Sequence, residues 1–140
     1  MIEILQLMTN KIAISVFLAW LVSFLVKLVI NYRKKGFSKN LLYATGGMPS
    51  SHVAFSTALA LSIGLSEGFN STLFIIAASL TVIIVHDAIN IRARIDKRLE
   101  HIRKKLKLNF NDNDSIGHSI ADVIWGIIIG LITPLIIFYL

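Results

Sequence analysis

Apolar residues fall into four runs: 12 to 32 with the charge of Lys27 inside it, about 53 to 66, 71 to 91, and 119 to 140. Three of these match the ~20 residues a helix needs to cross a bilayer core, and the second does so only if Ser50 to His52 join its first turn. The pattern therefore predicts spans at about 12–32, 50–66, 71–91 and 118–140. Between the last two, Ile95, Leu99, Ile102 and Leu106 recur at steps of four, three and four among basic residues. Such a stripe predicts an amphipathic helix over about 93–107 at the membrane surface. The expected fold class is all-α: one domain over residues 1–140, an integral membrane bundle of about four transmembrane helices with a cytoplasmic amphipathic helix.

Composition agrees with this reading. Hydrophobic residues make up 55% of the chain and charged residues 16%, and mean hydropathy is +0.72, which excludes an ordinary soluble domain. The first run reads as a retained helix, because it exceeds the apolar length of a cleaved leader, Glu3 precedes it and no small-x-small site follows. The absence of cysteine removes disulfides and thiolate chemistry.

The net charge of +6 is concentrated in two places. Arg33, Lys34, Lys35 and Lys39 follow the first run, and eight basic residues from Arg92 to Lys107 follow the third, whereas the second connection and the C-terminus have none. The positive-inside rule puts both basic connections in the cytoplasm and both termini outside. Because these charges flank membrane spans without interleaved aromatics, anionic lipid headgroups are the expected partner and nucleic acid is not.

This topology brings three polar stretches to one membrane face: Gly46-Gly47-Met48-Pro49-Ser50-Ser51-His52, then Asp87 with Arg92, then Gly117-His118 with Asp122. The glycines let backbone amides turn toward an anion, Pro49 suits the opening of a helix whose N-terminus favours phosphate, and Ser50 and Ser51 add hydroxyls. The plainer alternative is a turn and helix cap. His118 and Asp122, four apart, would share a helix face, where the carboxylate fixes the imidazole. Asp87 needs a cation, which Arg92 or Lys27 could supply, and Arg92, whose guanidinium can grip two phosphoryl oxygens, is the best candidate for phosphate contact, with Asp87 orienting it. Lys27 either snorkels to the interface or reaches the phosphate from below, with Lys34 near the same face. His86 and His101 read as structural.

Counting in fours from His52 gives Ser56, Ala60 and Gly64, and from His118 gives Asp122, Gly126 and Gly130. Small residues at this spacing allow close helix approach, so the second and fourth spans are expected to pack through these stripes. The Gly126–Gly130 pair would equally suit contact between two copies in a homodimer.

These stretches resemble the divergent branch of the type 2 phosphatidic acid phosphatase family, related to acid phosphatases and vanadium-dependent haloperoxidases. The resemblance runs from about Lys27 to Gly130. It implies that His118 attacks phosphorus to form a phosphohistidine, that Asp122 orients it, and that His52 protonates the leaving group. It further implies that Lys27, Ser50 and Arg92 hold the phosphoryl oxygens, with neither metal nor other cofactor. Ser51 stands where the family's PSGH motif has glycine, Asp112 where an arginine precedes the last histidine, and four spans replace the usual six helices. The expected activity is hydrolysis of a lipid phosphomonoester at the cytoplasmic face, phosphatidylglycerophosphate above phosphatidate. The alternative is a non-catalytic membrane protein that binds phospholipid headgroups or scaffolds an enzyme.

Overall fold

The computed structural model describes residues 9–35, 47–106 and 117–140, and among these there is no strand. The elements are α1 (Lys11–Lys35), α2 (Ser51–Glu67), α3 (Thr72–His86), a π-helical turn (Asp87–Ile91), α4 (Arg92–Leu106) and α5 (Ile120–Tyr139). Among the described residues three stretches are long and apolar enough to cross a membrane: Lys11–Arg33, Thr72–Leu106 and Ile120–Tyr139. The protein is a multi-pass helical membrane bundle. Residues 36–46 and 107–116 lie outside the described residues, and with them Gly46, Lys39 and Lys107.

Helix ends follow local chemistry. The Asn10 side-chain oxygen accepts from the Ile12 and Ala13 amides at 2.9 and 3.3 Å, opening α1. Gly68, at φ 92°, ends α2, and its N–H donates to the Gly64 carbonyl. Three residues later the Ser71 hydroxyl caps α3 by accepting from Phe74 N–H at 3.2 Å. Ser119 and Asp122 form a reciprocal capping box at the start of α5.

α2 is the central helix and packs against α1, α3 and α5. Its 17 residues, about 25 Å long, are near the lower limit for a span. Helices on several sides explain its small side chains: Ala54, Ser56, Thr57, Ala58, Ala60, Ser62 and Gly64 are all buried. Larger residues there would hold the neighbours apart.

The predicted stripe on α5 does meet α2. A Cβ on Gly126 would lie 2.7 Å from the Ser50 carbonyl oxygen, and one on Gly130 would lie 2.6 Å from that of Ala54 and 2.7 Å from Thr57 Cβ. The α2 side of the contact differs from expectation, being Ser50, Ala54 and Thr57 rather than the His52 stripe. Ser56 faces α3 instead, where its carbonyl accepts from Thr81 Oγ1 at 3.0 Å, and Gly64 meets Phe69 and Phe74. On a helix with small residues on several faces, spacing alone does not select the partner.

The third span and the amphipathic helix are not separate pieces. A single helix runs from Thr72 to Leu106, with no glycine or proline in it to break it. The Arg92 N–H reaches back five residues to the Asp87 carbonyl, which widens the junction into the π turn. Beyond it the expected apolar stripe is present, with Ile95, Leu99, Ile102 and Leu106 all exposed.

Replacing Gly126 or Gly130 with Leu should lower bundle stability by about 1–3 kcal/mol, the usual penalty of overpacking. Thermal unfolding in detergent checks this, with Ile124→Leu on the exposed side of α5 as a neutral control.

Candidate functional site

Three hydrogen bonds donated by backbone amides gather the polar stretches. The Ser50 N–H donates to the Asp122 carbonyl at 3.0 Å, and the His118 N–H to the Ala88 carbonyl at 3.3 Å. The Gly117 N–H donates to the Asp96 carboxylate at 2.7 Å. The starts of α2 and α5 are thereby fixed to each other, and Gly117-His118 is fixed to the helix that carries Asp87 and Arg92. Val53, Ala88 and Val123 form a shared buried cluster of these same three segments.

His118 is 5% exposed. It precedes α5 rather than standing on it: Ser119 is the N-cap and the helix begins at Ile120. A shared helix face therefore does not explain its relation to Asp122; the bond to Ala88 positions it instead. Its Nδ1 lies 3.8 Å from Asp122 Oδ2, beyond hydrogen-bond reach, and Asp122 Oδ2 meanwhile accepts from Ser119 N–H at 2.8 Å. Asp122 is thus both helix cap and neighbour to the imidazole. Neither ring nitrogen has a hydrogen-bond partner among the described residues.

Lys27 is likewise 5% exposed. Counting back in fours gives Ser23, Ala19 and Ser15, each at 0%, so this small-residue stripe forms the packed face of α1 and turns Lys27 inward. Snorkelling is not what this lysine does. Its charge acts on Asp122, His118 and His52. Of the two cations the charge argument allows, it is Arg92 that pairs with Asp87, donating from Nε to Oδ2 at 2.6 Å, which leaves the terminal nitrogens for another oxyanion. The π turn makes this pairing, because residues five apart lie one turn apart where the chain closes i to i+5. The Arg92 charge also reaches both histidines.

Ser50 is fully buried and its hydroxyl has no hydrogen-bond partner among the described residues. Thr57 and Ser62 on α2 share that property, but in a helix interior such a hydroxyl can turn onto a preceding carbonyl. Ser50, ahead of the first turn, lacks that outlet. Pro49 precedes this cap residue rather than opening the helix, so the Ser50 amide, not a proline, sits at the helix entrance and bonds α5. Gly47, at φ 93°, takes a conformation that a side chain disfavours.

The two histidines lie on different sides. His118 lines an open cleft of about 570 Å³ with Asn31, Gly47, Asp96, Lys97 and Asp122 among its walls. His52 is exposed and opens onto an apolar cavity of about 390 Å³ with Trp20, Ser51, Phe55 and Ile84. They interact electrostatically, and Lys27 acts on both. His86 and His101 are exposed and line neither cavity. The side chain of Lys34 lies outside the described residues. Among the described residues no group of three His, Cys, Asp or Glu side chains stands close enough to hold a metal.

Asp96 is a site residue that sequence reasoning missed, since its bond spans 21 positions and has no local signature. Gly117 is held as tightly from the other side: a Cβ there would lie 2.9 Å from both Cα and N of Ala93. The described residues thus supply two cations that act on His118, a buried Ser50 hydroxyl and a buried imidazole, a set whose chemistry suits an oxyanion. Leaving such polar groups unmatched costs about 1–3 kcal/mol each.

A multi-pass helical membrane bundle is the class of protein that this geometry defines. Within that class, the sequence profile described as the Divergent PAP2 family matches residues 8–133. The chain belongs to that family. It is similar over 96% of its length to "Uncharacterized membrane protein YuiD" of Bacillus subtilis (strain 168), at 29% identity, with 98% of that protein covered. No solved structure matches it.

Removing the Asp96 carboxylate deletes a charge-assisted bond of the kind worth about 1.5–3 kcal/mol. In Asp96→Ala, amide exchange at Gly117 and His118, read by mass spectrometry, should quicken about tenfold or more, whereas Glu100→Ala on the same helix should leave it unchanged.

Proposed function

We propose that this protein is a lipid phosphate phosphatase that works through a phosphohistidine at His118. The observation that carries the reading is the His118 ring, buried, with neither nitrogen bonded among the described residues, and within the fields of Lys27 and Arg92. Nδ1 faces Asp122, so Nε2 is the nucleophile; it attacks phosphorus as the bond from phosphorus to the lipid oxygen breaks. His52 gives its proton to that oxygen. Water then attacks the phosphohistidine while His52 takes a proton from it, releasing inorganic phosphate and restoring both imidazoles.

Lys27, the terminal nitrogens of Arg92 and the hydroxyls of Ser50 and Ser51 stabilise the phosphoryl oxygens, with Asp87 orienting Arg92. Fixed cations at developing charge lower the barrier without reorganisation. The positive-inside rule, applied to the basic connections, supports a site at the cytoplasmic leaflet. That favours phosphatidylglycerophosphate, made on that side in bacteria, over polyprenyl diphosphates, which are dephosphorylated on the other.

The test is phosphate release without metal from phosphatidylglycerophosphate, phosphatidate and a polyprenyl diphosphate. His118→Ala should abolish release and prevent trapping of an acid-labile phosphoenzyme; His52→Ala should slow it by about 10²–10⁴-fold, the range for a lost general acid. No release by folded protein that still binds the lipids would identify a headgroup-binding protein instead. The rate should follow a bell-shaped pH profile, with the acid limb set by protonation of His118 and the alkaline limb by deprotonation of His52. In His52→Ala, assayed with an activated leaving group that needs no proton, only the acid limb should remain.

A further inference from the structure

α4 begins at the site and carries two unlike faces. The stretch from Thr72 to Ile91 takes up about 30 Å of the helix that runs on to Leu106, so Arg92 already stands at headgroup level. Toward the bundle, Asp96 accepts from the Gly117 amide at 2.7 Å, and the Ala93 backbone lies so near that a Cβ on Gly117 would come within 2.9 Å of it. On the far side Ile95, Leu99, Ile102 and Leu106 are exposed, from 40% at Leu99 to 60% at Leu106. At about 100° per residue these four share an arc of roughly 60°, centred roughly 150° from Ala93. Arg94, Arg98 and Lys105, all exposed, border that arc.

Charge decides what covers the outer face. α4 holds seven basic residues and two acidic ones, and both acids are engaged, Asp96 by Gly117 and Glu100 by Lys104 at 2.7 Å. The spacing of the stripe would suit a coiled-coil seam, but a second copy would set basic residues against basic ones along its borders. An anionic bilayer surface supplies both things this face lacks: an acyl boundary for the stripe and negative headgroups for the lysine and arginine ends. We propose that α4 docks on the anionic headgroup surface of the membrane, and that docking by its outer face holds Gly117-His118 in place through Asp96 on its inner one. Lying against that surface inclines α4 relative to the span, and the inclination falls at the π turn, where helices bend. The same turn gives the Ala88 carbonyl to His118 and sets Arg92 beside Asp87. Surface charge is thereby communicated to the histidine loop and, on the phosphatase reading on which this role rests, to turnover.

The chain has no cysteine, so Ile102→Cys carries a single environment-sensitive dye. In nanodiscs of phosphatidylcholine mixed with phosphatidylglycerol its emission should shift to the blue relative to pure phosphatidylcholine, and high salt, which screens surface charge, should reverse the shift. In the same discs and without substrate, the unlabelled protein should exchange its Gly117 and His118 amides about threefold or more slowly on the anionic surface than on the neutral one. Phosphatidylserine at equal charge density should act like phosphatidylglycerol, because a surface and not a headgroup is recognised. Leu99→Glu, on the exposed stripe, should abolish both effects, whereas Asp96→Ala should keep the dye shift and lose the slowing. Equal emission on the two surfaces would overturn the docking, and docking without slower exchange would overturn the coupling. Slowing by phosphatidylglycerol but not by phosphatidylserine would put the lipid in the His118 cleft and also overturn the docking role. Neither readout needs turnover: docking with slowed exchange in a protein that releases no phosphate would keep the role of α4 and remove the catalysis, and release without docking would do the reverse.

Discussion

The close approach of α5 to α2 is the constraint from which the site follows. Gly126 and Gly130 sit so near the Ser50 and Ala54 carbonyls that any side chain would collide with backbone. Inside a bilayer, lipid tails solvate apolar side chains as well as another helix does, so association depends on contact made possible by small residues. That contact sets the height of α5 against α2, and the Ser50-to-Asp122 bond one turn above Gly126 fixes the same register in the backbone. His118 and Ser50 therefore meet the site at one level because two glycines farther down allow it.

A second constraint comes from the helix Thr72–Leu106. Its π turn offers the Ala88 carbonyl to His118, pairs Arg92 with Asp87 and carries Asp96 to Gly117. A regular helix would put residues five apart roughly 140° from one another, on different faces. The insertion thus converts a membrane span into a holder for the polar loop that carries the histidine. Wider turns of this kind are concentrated at functional sites, and here the three bonds made around it show what the distortion accomplishes.

Much of this was legible in the sequence, for identifiable reasons. Span positions followed from apolar run length, and the α5 glycines from their fourfold spacing, since both are local. The stripe below Lys27 was equally local: Ser15, Ala19 and Ser23 mark the face that turns the lysine inward, though the lysine alone suggests snorkelling just as well. Charge alone showed that Asp87 needs a cation but left Arg92 and Lys27 both open, and the π turn that selects Arg92 has no local signature. Asp96 and the exposure of His52 were beyond reach, because each depends on which helices flank α2, and small residues on several of its faces leave that choice open.

The charges around His118 balance in a way that bears on how an anion is accepted. Lys27 and Arg92 bring two positive charges, Asp87 and Asp122 two negative ones, so with neutral imidazoles the site carries no net charge. A buried lysine is tolerable on those terms, since an uncompensated one is expensive in a membrane protein. A dianionic phosphomonoester entering this balanced set would leave it negative. The nearest relief is a proton on His52, the more exposed of the two histidines and the one placed by the leaving oxygen in the proposed reaction. In the proposed reaction, substrate binding and charging of the general acid would then be one linked event, with the buried His118, whose backbone is held by the Ala88 carbonyl, as the uncharged partner.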